Sequence, residues 1–306
     1  AYQMLRSLVG SEMCIRDRLN RDYSISPYYT KIEITYLKNI YNIAKTYNNA
    51  QLRAVIRSGE YKGQTAGLSK NMLQTNLIIL EQKNALDFMI FCQRNPKACP
   101  LVGVSDVGTP FLKTLGKNID VRTDVPSYNI YKAGKLHSTV HEISNLWNEN
   151  LVAFAIGCSF TFEHSLIRHG FTIDHINENK VVPMYKTNIK NLKSGPFGNT
   201  MVVSMRIFKK NYVNKIIDIC KSFQWAHGRP IHFGSPDEIG ILNIFEPDWG
   251  DVPRPLLEDE VNVFWACGVT PQNAILDSSV PFCISHTPGY MLITDIEEDA
   301  EIPIIQ

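Results

Sequence analysis

Two segments of this chain share one design, and that design narrows the fold more than any other feature. Leu151–Ile156 is a continuous apolar run that reaches Gly157-Cys-Ser159 and then a helical pattern over Phe160–Arg168. Val261–Ala266 is a second such run, reaching Cys267-Gly-Val-Thr270 and then a helical pattern over Pro271–Leu276. Short, evenly apolar runs predict strands covered on both faces, and strands feeding straight into helices place the chain in the α/β class. Thr270 as N-cap with Pro271 in the first helical position marks the second helix start. The matched pair predicts mixed sheets with flanking helices, arranged as two similar, intertwined α/β halves.

Around these units the pattern is readable in pieces. A short amphipathic helix begins at Asn49, carries Leu52, Val55 and Ile56 on one face, and stops at Ser58-Gly59. Asn84 to Arg94 predicts a helix that is apolar almost all round and therefore buried, ended by Asn95-Pro96. Strands are predicted at Leu101–Val104, Tyr128–Tyr131 and Thr200–Met205, and a helix around Tyr212–Ser222, with a loop-rich run from Ala226 to Gly250. No low-complexity linker divides the chain. A boundary is placed near residue 150, separating an N-terminal α/β part (49–150) from a C-terminal part (151–306) that holds the main site. Residues 1–48 form a leader, of which 1–18 include Ser11–Arg18, a stretch resembling a translated sequencing adapter. With no core periodicity, the leader is expected to be dispensable, so that a chain starting at Asn49 folds unchanged.

Composition excludes several functions. Lys and Arg number 31 against 30 Asp and Glu, a formal charge of +1, so no whole-chain field draws nucleic acid or an anionic membrane. The longest apolar stretch, Leu151–Cys158, falls far short of the roughly 20 residues of a membrane helix. The cysteines (14, 92, 99, 158, 220, 267 and 283) are odd in number and scattered, which predicts reduced thiols in a cytoplasmic protein, or in a mitochondrial matrix if the source is eukaryotic. There is no glycine-rich dinucleotide fingerprint and no phosphate loop, so no cofactor is expected.

A series of phrases runs in order through the chain: Gly63-Gln-Thr-Ala-Gly67, Phe91-Cys-Gln-Arg-Asn-Pro96, Arg122-Thr-Asp-Val-Pro126, Ile156-Gly-Cys-Ser-Phe160 with Glu163, and Pro183-Met-Tyr-Lys-Thr-Asn188. Val203-Ser-Met-Arg206, His227-Gly-Arg-Pro-Ile-His232, Phe264–Gln272 and Ser285-His-Thr-Pro-Gly289 with Thr294-Asp295 continue it. Together, across about residues 49–295, they resemble the bacterial hydro-lyases related to the catalytic region of vertebrate D-glutamate cyclase. That resemblance implies a small carboxylate substrate and, by analogy, closure of D-glutamate to 5-oxo-D-proline with loss of water.

Such a reaction needs a deprotonated amine, an activated γ-carboxylate and a proton for the leaving oxygen, hence a base, a clamp and an acid. The turns at Cys158-Ser159 and Cys267-Gly268-Val269-Thr270 expose N–H groups at helix starts, which favour carboxylates; the alternative is that Ser159 and Thr270 only cap their helices. Strands of parallel sheets gather ligands beyond their carboxyl ends, so the two turns are expected to line one pocket. Cys158 is a candidate nucleophile or a buried inert thiol. Glu163 is a candidate base or acid, or a surface carboxylate matched to its helix dipole. Lys186, in a polar loop with Tyr185 and Asn188, is a clamp, a base or a solvated lysine. Arg206 is a two-point carboxylate clamp or a surface ion pair. His227, His232 and His286 suit proton transfer, and Gln272 completes the substrate-binding set with Asn188 and Tyr185. The histidine spacing matches no helical metal pair, so no metal is expected. The rival readings are a metal-assisted hydrolase or hydratase and a non-catalytic carboxylate binder. Homo-oligomerisation stays open.

Overall fold

The computed structural model describes residues 40–300, apart from Ala66, Asn179, Ser279 and the side chain of Phe160. Residues 1–39, including Cys14 and the adapter-like stretch, lie outside the described residues. The chain runs through α1 (Asn49–Arg57), β1 (Met72–Glu81), α2 (Gln82–Arg94), β2 (Leu101–Val104), β3 (Tyr128–Lys132), β4 (Lys135–Val140) and β5 (Leu151–Gly157). It continues with α3 (Phe160–Arg168), α4 (Asp174–Asn177), β6 (Met184–Lys190), β7 (Thr200–Lys209), α5 (Val213–Cys220), β8 (His232–Phe233), β9 (Glu260–Ala266), α6 (Val269–Ser278), β10 (Phe282–His286) and β11 (Leu292–Glu297).

The strands form two sheets. A seven-stranded sheet runs β2-β5-β1-β10-β3-β4, with β11 also pairing β1; a four-stranded sheet runs β6-β7-β9-β8. The mixed α/β class with flanking helices holds, and β5–α3 and β9–α6 are the two matched strand-turn-helix units. Every strand pair in both sheets is antiparallel, which corrects the parallel arrangement assumed for the turns. An evenly apolar strand reports burial on both faces, and burial does not encode strand direction.

β1 is the axis of the larger sheet, and the sequence pattern did not mark it. Alternation sends Leu73, Leu77 and Ile79 into one core with Ala153, Ala155, Ile284 and Leu292. Ile78 and Leu80 enter the opposite core, against Phe88 and Phe91 of α2, Phe154 of β5, and Ala274 and Ile275 of α6. Each of these Leu, Ile and Phe side chains stabilises the fold by about 1.5–3 kcal/mol on burial. Because β5 pairs with β1 from Thr75–Gly157 to Glu81–Leu151, residue 150 is not a seam between separate sheets. The smaller sheet packs Phe208, Val263 and Trp265 against α3 and α5, and turns Tyr185, Met205 and Phe264 the other way.

Other expectations are corrected. α2 buries one face through Phe88, Phe91 and Cys92, while Leu86 on its outer side is 62% exposed, so it is not buried all round. Tyr185, Lys186 and Asn188 lie on strand β6 rather than in a loop, His286 ends strand β10, and Arg206 lies inside β7. Residues 40–48 are part of the domain: Ala44 is buried with Leu52, Ile56 and Ile293, and Asn48 caps α1 in a capping box with Gln51. A chain starting at Asn49 is therefore expected to melt at a lower temperature, losing about 1 kcal/mol for the cap and more for the Ala44 contact. An unchanged thermal midpoint would show that this packing contributes nothing.

Candidate active site

The two predicted turns meet on one side chain. On β1, the face that carries Leu80 and Ile78 becomes polar one pair of residues on, at Asn76 and Gln74. The Asn76 amide Nδ2 donates to the Gly157 carbonyl at 3.3 Å, at the end of β5. From the other side the backbone of Gly268 comes so close that an added Cβ would lie 2.7 Å from the same nitrogen. A larger residue there would require the Asn76 amide to shift. The starts of α3 and α6 thus flank Asn76. Cys158 and Ser159 follow Gly157 directly and Cys267 and Thr270 stand within two residues of Gly268, with Gln272 less than one turn further along α6.

The two helix starts are not equivalent. Ser159 stands at the N-cap position of α3, but its side chain makes no capping hydrogen bond. Thr270 is not an N-cap, because α6 begins at Val269; its Oγ1 accepts from Val202 N at 3.0 Å and fastens α6 to β7. The N–H groups of Gly268 and Val269 face the Cys267 sulfur, which lies 3.5 Å from Met184 Sδ. Burial still pushes that thiol up, so Cys267 stays protonated.

Loops from two other signature phrases close over the same end of the sheet. Gln74 Nε2 donates to the carbonyls of Thr65 (3.0 Å) and Leu68 (2.6 Å), and Thr65 N donates to Gly289 O at 2.9 Å. Thr287 bonds Ser127 Oγ at 2.7 Å and Asn129 Oδ1 at 3.2 Å. Asn76, Gln74, Ser127 and Asn129 were missed in the sequence. The available signal was three consecutive polar residues, Gln74-Thr-Asn76, opening an otherwise apolar Leu77–Leu80 run.

Below the turns, between α3 and the smaller sheet, lies a buried ionic cluster. Glu163 Oε1 accepts from Arg206 Nε at 3.0 Å and from its Nη2, and His175 Nε2 lies 3.1 Å from the same oxygen. Arg206 also donates to Ser204 Oγ, and its guanidinium stacks 5.0 Å from Phe162 and 5.3 Å from Trp265. Burial alone would raise the Glu163 pKa, but His175 and Arg206 outweigh it and hold the carboxylate far below its usual range. Glu163 is therefore neither a surface residue nor a proton donor near neutral pH, and Arg206 is already paired rather than a free clamp. The charges of both are felt at Cys267.

The remaining candidates lie elsewhere. Alternation places His286 on the face of the sheet opposite Asn76, where its Nδ1 lies against Leu77 and burial lowers its pKa to about 4. His227 is buried with Nδ1 against Lys97 O at 2.8 Å, its pKa also lowered to about 4 by burial. His232 sits on edge strand β8, bonded to Ser235 O and stacked on Phe264. Tyr185 donates to Ile244 O at 2.6 Å; Lys186 is exposed with Nζ 5.5 Å from the Trp249 ring, and Asn188 packs against Gly240. Among the described residues, no group of three or more His, Cys, Asp or Glu side chains is placed to hold a metal ion. Nor is any helix there long and apolar enough to cross a membrane.

A family model described as D-glutamate cyclase matches residues 152–295, a span that contains both turns. Full-length relatives extend the match. The chain is 53% identical over 267 residues to a protein of Dinoroseobacter shibae, covering 87% of this chain and 89% of that one. It is 52% identical over 266 residues to one of Ruegeria pomeroyi, covering 87% and 96%. Each is named a putative hydro-lyase. The chain belongs to this hydro-lyase family. A nitrogen repressor-like protein of Methanococcus jannaschii superposes on 69% of this hydro-lyase chain and 80% of its own, with a TM-score of 0.33 and 11% identity, too little to argue from. The likeness to the family covers β1 and the Gly63–Gly67 loop as well as the turns, so every element around Asn76 falls within it.

Proposed function

We propose that this hydro-lyase closes D-glutamate, or a similar amino-dicarboxylate, to 5-oxo-D-proline at the site around Asn76. The reading is supported by one observation: Asn76 bonds to the Gly157 carbonyl and lies against Gly268, which brings two helix starts beside one polar sheet face. In the reaction the α-nitrogen bonds to the carbon of the γ-carboxylate, and one of that carboxylate's oxygens leaves as water, carrying the two protons lost by the ammonium group. The α3 start and the Ser159 hydroxyl suit one carboxylate, because unpaired N–H groups there carry partial positive charge. The Asn76 amide suits the oxygen on which charge develops, since a fixed donor needs no reorganisation during the step. Cys158, in the turn itself, is our candidate for moving a proton there. Glu163 and Arg206 act as a charge-balanced support beneath the turn rather than as reacting groups.

Incubation with D- and L-glutamate separately, followed by chiral separation of 5-oxoproline, tests the assignment. The expected result is 5-oxo-D-proline from D-glutamate alone, with turnover reduced about 100-fold or more in Asn76→Leu, the usual scale for losing one oxyanion donor. Product from neither enantiomer removes glutamate as the substrate. Calorimetric binding of a dicarboxylate without turnover would instead favour a binding protein.

A further inference from the structure

Beside the Gly157 turn, at the β2 edge of the larger sheet, lies a cleft of about 870 Å3 that the proposed reaction does not use. Its volume falls in the range of small-molecule sites, about 300–1,000 Å3. Lys97, Lys221 and Arg229 line it, and Asp299 is the one carboxylate among its lining residues. Lys97 Nζ donates to the carbonyls of His227 (3.1 Å) and Arg229 (3.0 Å), which fixes the loop after α5 and leaves one ammonium N–H unused. Among the described residues, Lys221 has only a distant partner, Asp218 at 3.4 Å. Among the described residues, no carboxylate or carbonyl pairs with the Arg229 guanidinium. Burial and then the nearby Arg229 charge lower the Lys97 pKa, so two cations lie close enough to repel each other.

The cleft wall also carries strain and an unmet hydrogen-bonding group. His227 is a non-glycine residue at φ 71°, a backbone state that costs about 1–3 kcal/mol and concentrates at functional sites. Its side chain is almost fully buried, and its Nε2 has no partner. The same loop bears on the candidate active site: a Cβ at Gly157 would lie 1.4 Å from the Trp225 carbonyl oxygen.

We propose that this cleft is a second binding site, for a small multivalent oxyanion held by Lys97, Lys221 and Arg229. The shared chemistry is that of a phosphoanhydride or a tricarboxylate: several anionic oxygens for a guanidinium fork and two ammonium groups. An occupant would sit directly behind the turn that carries Cys158.

Pyrophosphate and citrate, titrated separately into the full chain by calorimetry, test this. At least one is expected to bind saturably at one site per chain, less tightly as salt is raised. Arg229→Gln with Lys221→Gln should weaken that binding at least about tenfold, the loss expected when charge-assisted hydrogen bonds are removed, at an unchanged melting temperature. Binding of pyrophosphate alone identifies a phosphorylated ligand, and binding of citrate alone a tricarboxylate. Asn76→Leu should retain the binding, which separates this cleft from the proposed catalytic site. No saturable binding of either anion, or affinity unchanged in the double variant, overturns the proposal and leaves the glutamate reading untouched.

Discussion

Arg206→Met is expected to destabilise the protein by about 3–5 kcal/mol, because it strands the Glu163 carboxylate in the interior. Glu163 and Arg206 are both almost fully buried, and Arg206 supplies two of the donors to Glu163 Oε1. Removing both charges, with Glu163→Leu added, should recover most of the loss, since two apolar side chains leave no uncompensated ion. The same cluster sets an acid limit. Glu163 has a folded-state pKa depressed below its ordinary 4.5, so its contribution is present above that value and is lost as pH falls through the folded pKa. His227 and His286, lowered by burial from 6.5 to about 4, act earlier: the unfolded chain takes up protons first, so stability falls from pH 6.5 to about 4. Urea denaturation from pH 7 to pH 3 should show a decline that begins with the histidines. A single Arg206→Met variant as stable as wild type would mean that the pair is not buried as described.

Gly157→Ala is expected to be at least as damaging at the site itself. The turn is held on several sides: Gly157 pairs with Thr75, its N–H donates to Pro100 O at 2.9 Å, and its carbonyl accepts from Asn76. A methyl group 1.4 Å from the Trp225 oxygen must displace either this turn or the 224–226 segment. Overpacking typically costs about 1–3 kcal/mol when side chains can give way, and here the obstacle is backbone, so a cost at or above that range is expected. Gly170→Ala is the control, with φ +85° but nothing within 4 Å of the added Cβ. It should lose only the smaller cost of a positive φ, about 1 kcal/mol. Chemical denaturation of the two variants decides: equal losses would show that the Trp225 loop does not press on the turn.

Among the parts of this fold legible in the sequence, the two strand-turn-helix units stood out because their strands are buried nearly throughout. β5 is apolar along its length and β9 from Val263 to Ala266, and each is followed by a helix, so both were found with their turns. β1 was not, because Gln74-Thr-Asn76 gives its first half the look of a loop, although those polar residues face the site. β6 was hidden for a similar reason: Met184-Tyr-Lys-Thr-Asn-Ile-Lys190 alternates burial only partly and follows a proline. The candidate turns were readable as chemistry at helix starts. That they meet was not readable, since their meeting depends on an asparagine from a strand more than 80 residues before Gly157 or Gly268. Histidines and lysines drew attention as titratable groups, yet burial of His227 and His286 and the outward placement of Lys186 are tertiary properties that residue type does not report.

The pairing of β1 has a consequence for how the chain is made. One edge of β1 is covered by β5, near the middle of the chain, but the other is covered by β10 and β11 near its end. On the ribosome, the interval from Glu81 to Glu297 is 216 residues (297 − 81). At about 5–20 residues per second, that edge waits about 10–40 s for its partners. During that time the nascent protein presents unpaired strand backbone beside Leu77–Leu80, a template for pairing with other chains. Yield during synthesis should therefore depend on chaperone supply and translation speed, and more steeply than the stability of the finished protein would suggest.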